Sequence, residues 1–175
     1  MQNPHPLVVH FPLALLLTSA AAALWAAWRK APGPAAFARA LLYLGTAACA
    51  VAVVTGFLAT QSVARVRLAA GTMCDHQNLG YVLLGLACAL SAWALVAERR
   101  TKRAPRPAAL WLVGQLALAA LVVWTGKEGG DLVHRFGVGT ALTARGGPLF
   151  ERAGAPADTT PSPKAPPRPS GGDFR

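Results

Sequence analysis

Residues Leu7 to Trp28 read LVVHFPLALLLTSAAAALWAAW, with no Asp, Glu, Lys or Arg among them. A membrane-crossing helix needs about 20 predominantly apolar residues, and this run supplies them. Three further stretches do the same: Ala40 to Thr60, Leu79 to Ala97, and Pro107 to at least Gly126. None alternates apolar and polar positions, so barrel strands are excluded. Four such helices in a chain of 175 residues would leave a soluble fold too little polar surface to cover them. The expected architecture is therefore all-α, an integral membrane four-helix bundle over residues 1–147. A second segment, 148–175, carries seven prolines and few large apolar residues. It reads as a disordered tail, because it cannot bury enough surface to order itself.

Composition agrees with a protein dissolved in a lipid bilayer. Hydrophobic residues make up 54% and charged residues 14%, against about 25% charged in soluble domains. The excess of 17 Lys+Arg over 7 Asp+Glu falls in short blocks between apolar runs, not along a helix face. That placement argues against a nucleic-acid partner. Three cysteines without CxxC or CxxCH exclude a disulfide scaffold, a zinc ribbon and covalent haem attachment.

The basic blocks also orient the chain. Arg29, Lys30 and Arg39 lie between spans one and two, and Arg99, Arg100, Lys102, Arg103 and Arg106 between three and four. Lys and Arg favour the cytoplasmic side, so both termini should lie outside. In a Gram-negative source that is the periplasmic side of the inner membrane. The first span has no basic residues before it and a basic pair after it, so it is expected to be retained, not cleaved.

With that threading, all four histidines fall on the exported side. His5 and His10 open span one, His76 precedes span three, and His134 follows span four. Ionisable groups at or near the membrane are functional candidates. Met73, Cys74 and Asp75 stand immediately before His76, Gln61 closes span two, and Lys127, Glu128 and Asp131 follow Trp124. Asp131 stands at i,i+3 from His134 and i,i+4 from Arg135, and reads as a member of an exposed charge ladder with Lys127. Gly137 is a natural helix terminator.

Three chemistries suit such a cluster. His10, His76 and His134 could ligate a b-type haem in the bundle. His5, His10, Cys74 and His76 offer the nitrogen and sulfur donors that zinc and copper favour. Shallow imidazoles could also relay protons. The alternative is a structural or partner-binding membrane protein without cofactor, its histidines serving as interfacial hydrogen-bonders. Cys49 and Cys88 sit inside spans and read as packing residues. No HExxH, GxSxG or phosphate loop is present, so hydrolytic or nucleotide chemistry has no support and no catalytic residue is assigned.

The opening His5-Pro6-Leu7-Val8-Val9-His10-Phe11-Pro12-Leu13-Ala14-Leu15-Leu16 resembles that of a bacterial family of four-span membrane proteins, domain of unknown function 2231. The stretch Gly129-Gly130-Asp131-Leu132-Val133-His134-Arg135-Phe136-Gly137-Val138-Gly139 is similar to the family's second signature. His76, ahead of Leu79-Gly80, matches a histidine at the start of its third span. The resemblance covers residues 4 to 142. It implies a four-span fold and no established activity. Relatives joined to Rieske-type or cytochrome-like modules make an electron-transfer protein an expected partner, beside the bilayer itself.

Overall fold

The computed structural model describes residues 4–30, 32–62, 65–66, 69–100, 108–138 and 150–151. Five helices account for most of them: α1 (His5–Val8), α2 (His10–Arg29), α3 (Pro32–Ser62), α4 (Ala70–Arg100) and α5 (Ala108–His134). Two short strands, β1 (Arg65–Val66) and β2 (Phe150–Glu151), pair antiparallel. The rest of the 148–175 segment lies outside the described residues, as do Lys102, Arg103, Arg106 and the side chain of Gln61.

α1 and α2 form one apolar rod with a seam at Val9. Proline 12 has no N–H, so the Val8 carbonyl lacks its helical donor and the hydrogen-bond ladder is interrupted there. The backbone nevertheless keeps right-handed angles at Val9 (φ −62°, ψ −22°). At the other end Lys30 adopts a left-handed conformation (φ 52°, ψ 36°), which stops α2 and turns the chain into α3. α3 then starts on Pro32, a residue suited to the first helical turn.

The helices run up and down, and each packs against two others: α2 on α3, α3 on α4, α4 on α5, and α5 back on α2. The ring closes around Leu16, Leu42, Cys49, Leu83, Ala87, Leu90, Leu118 and Val122. Alanines 20, 22, 23, 38, 52, 59, 87 and 94 are also buried, so small side chains let the backbones approach. At Gly45 and Gly114 the approach is closest: an added Cβ would stand 2.6 Å from Leu16 Cδ2 and from Leu90 Cδ2, respectively. Cys49 is buried as expected of a packing residue, whereas Cys88 is exposed.

The outer surface of the bundle is apolar. Each of four rods, His5–Arg29, Pro32–Thr60, Ala70–Arg99 and Ala109–His134, has a mean hydropathy of 1.8–2.1 over an 18-residue window. Only 17–33% of each window is buried. A soluble bundle hides its apolar stripe, whereas here Leu24, Leu44, Val51, Val54, Leu58, Val82, Val113 and Val123 face outward. The arrangement makes sense with lipid as the solvent.

The few interior polar groups are mostly paired. Thr46 and Ser91 hydroxyls meet at 2.9 Å between α3 and α4. Ser19 Oγ donates to the Ala38 carbonyl at 2.8 Å and lies 3.2 Å from Gln115 Oε1. Gln115 is fully buried, and among the described residues its Nε2 has no partner. Arg39 and Glu98 form an ion pair between the start of α3 and the end of α4.

Candidate functional site

The up-and-down path puts the start of α1, the end of α3, the start of α4 and the end of α5 at one end of the ring. Two imidazoles meet there. The His5 and His76 ring centroids are 6.4 Å apart, with planes 77° to one another in an edge-to-face arrangement. Both side chains are half-buried.

Each ring is held by the helix that closes its own hairpin. His5 Nδ1 lies 3.2 Å from Thr55 Oγ1 on α3. His76 Nδ1 donates to the Thr125 carbonyl on α5, at 3.1 Å. Each ring also rests on a glycine. A Cβ at Gly56 would stand 2.8 Å from His5 Cε1, and one at Gly129 would stand 2.9 Å from His76 Cε1. Only a bare backbone leaves room for the rings where they are.

α4 begins nine residues before the apolar run that announces it, so Met73, Cys74, Asp75 and His76 are helical. This carries His76 about 9 Å along the helix from its first residue, at 1.5 Å per residue. Leu13 lies against Gly126 on the inner side of the pair. Toward the outside, Ala69 and Leu132 form a small apolar cluster with Met73, Phe136 and Val138.

The other candidates stand apart from the pair. His10 is exposed on α2, and His134 is exposed at the end of α5. Cys74 is exposed, and its sulfur accepts from Asn78 Nδ2 at 3.6 Å. Among the described residues no group of three or more His, Cys, Asp and Glu side chains is gathered closely enough to hold a metal ion alone. The structure thus joins two residues of the expected donor set, His5 and His76, and adds Thr55, Thr125, Gly56 and Gly129 around them. Those four are ordinary residues in apolar helices, with no chemical signature of their own.

Asp131 takes the plain role expected of it. Its carboxylate lies 3.2 Å from Lys127 Nζ and 3.7 Å from Arg135, a ladder along exposed α5. Glu128 joins through Lys127 at 3.4 Å. Gly137 ends the helix with φ 65°, and the Gly137 and Val138 amides return to the Val133 and Leu132 carbonyls.

One family of sequences, described as predicted membrane protein, matches residues 2–142. The chain belongs to the DUF2231 family. Its match spans all four long helices and both histidines of the pair, so the paired site lies within the DUF2231 region. No curated protein and no solved structure matches the chain.

Proposed function

We propose that this DUF2231 protein is a metal-binding subunit of the bacterial inner membrane, holding one transition-metal ion between His5 and His76 on the exported side. The single observation behind this reading is the approach of two imidazoles from separate hairpins, each anchored by a hydrogen bond through Nδ1. Metal-bound histidines characteristically give their other ring nitrogen to a carbonyl or similar partner. Two metal–nitrogen bonds of about 2.0–2.1 Å would place the centroids roughly 5–6 Å apart, against 6.4 Å here, and the edge-to-face rings would turn to bring both Nε2 atoms to the ion. The remaining coordination positions belong to water or an incoming ligand.

Zinc and copper are the metals that imidazole donors suit. Copper would give the centre a redox role toward an electron-transfer partner. A haem is less well served: the rings touch edge to face, and a porphyrin ligated by both would have to part them. The eight Lys and Arg residues on the opposite side support placing this end outside.

Protein purified in mild detergent from metal-supplemented cells should carry about one zinc or copper per chain by elemental analysis. His5→Ala and His76→Ala should each remove it, whereas His10→Ala and His134→Ala should not. A metal-free wild type, or a loaded His76→Ala variant, overturns the reading. A Soret band that shifts on dithionite reduction would put a haem in place of the ion.

A further inference from the structure

The two imidazoles come from hairpins built on one plan. The first opens on His5 and closes through Val53-Val54-Thr55-Gly56; the second carries His76 near its start and closes through Val123-Trp124-Thr125-Gly126. Each histidine meets a threonine from the far end of its own hairpin, 50 residues away in the first and 49 in the second. The copies differ in detail. The first threonine uses its hydroxyl and the second its main-chain carbonyl. The glycine under the ring directly follows the threonine in one hairpin and comes four residues later in the other.

The acceptors decide where each ring proton sits. A carbonyl can only accept, so the Thr125 contact requires a proton on His76 Nδ1. The Thr55 hydroxyl has one proton, and the Ala52 carbonyl, which can only accept, stands at 3.0 Å to take it. Oγ1 therefore offers His5 a lone pair, and His5 Nδ1 donates. A neutral imidazole protonated at Nδ1 keeps its lone pair on Nε2. Free histidine favours the opposite form, so the protein imposes this one.

We infer that Thr55, through its hydroxyl, and Thr125, through its main chain, are positioning residues that hold both rings in the Nδ1–H form, so that the pair offers two Nε2 lone pairs to one ion. The ion itself rests on the proposed metal centre, whereas the proton positions do not. Thr55 is the half that substitution can reach. Thr55→Val keeps the shape and removes the acceptor; Thr55→Ser keeps the hydroxyl.

The test is nitrogen NMR on the full-length, metal-free protein labelled with 15N-histidine, in detergent at about pH 8, where imidazole is neutral. Both rings should show Nδ1–H. Thr55→Val should move the His5 Nδ1 resonance, leave that of His76 in place and weaken zinc binding about 10–100-fold, with Thr55→Ser close to wild type. Nε2–H at either ring in the wild type overturns the inference. So does a Thr55→Val variant that matches Thr55→Ser in both resonance and zinc affinity. Two Nδ1–H rings in a protein that takes up no zinc or copper would overturn the metal centre and leave the positioning role standing.

Discussion

At the scale of single residues, Gly56 and Gly129 set the position of the imidazoles. A methyl at either would meet the far end of a histidine side chain, at 2.8 or 2.9 Å, and that end can swing away. Gly45 differs, because its methyl would meet Leu16 Cδ2 at 2.6 Å and Leu15 Cβ at 3.3 Å in a filled interior. Gly56→Ala and Gly129→Ala should therefore cost little stability and abolish metal uptake. Gly45→Ala should cost about 1–3 kcal/mol by overpacking, while any properly folded fraction still binds metal. Unfolding in graded denaturing detergent, paired with elemental analysis, separates the two effects. The sequence shows four histidines on one side but not which of them faces inward. His5 and His10 are five residues apart, about 140° around a helix at 3.6 residues per turn, so only one can point into the ring. On rods apolar all round, hydropathy carries little information about that phase.

At the scale of elements, the number of helices is legible and their lengths are not. All four spans stand where the apolar runs put them, yet α3 begins at Pro32 instead of near Ala40, and α4 at Ala70 instead of Leu79. Hydropathy detects the stretch that lipid requires to be apolar. Backbone hydrogen bonding continues past it: α3 starts on Pro32 and Pro34, which suit a first helical turn, and α4 runs through Cys74, Asp75 and His76 despite their modest helix propensity. That extension is what makes His76 a helical residue with a fixed direction. The seam between α2 and α5 carries a polar contact whose benefit is doubtful on physical grounds. The single Ser19 proton is already close to the Ala38 carbonyl at 2.8 Å, and Gln115 Nε2 is buried with no partner among the described residues. Gln115→Leu removes that orphan and leaves the Ser19–Ala38 bond intact. It should be neutral or stabilising by about 1 kcal/mol in the same unfolding assay; a loss above about 2 kcal/mol would mean that the amide holds the seam together.

At the scale of the whole molecule, the orientation in the membrane ties the site to a compartment. Cys74 is exposed near the start of α4, at the same end as the paired imidazoles. A membrane-impermeant maleimide should label it in intact spheroplasts, and Cys74→Ser should abolish that labelling. Labelling only after the membrane is opened would place the site toward the cytoplasm. The charge asymmetry that predicts the orientation is written in the sequence. The meeting of His5 with His76 is not, because it depends on ring closure between helices far apart along the chain.

That closure has one more consequence. Every helix already has its sequential hairpin mate, and the remaining two seams, α3 on α4 and α5 on α2, join one hairpin to the other. A break in the chain between Ser62 and Ala69 would leave both hairpins whole. Two fragments cut there and produced together would each insert as a complete antiparallel pair and could find each other laterally, as independently inserted spans do in a bilayer. Each fragment would own only one member of the His5–His76 pair, so ligand uptake would report their reunion.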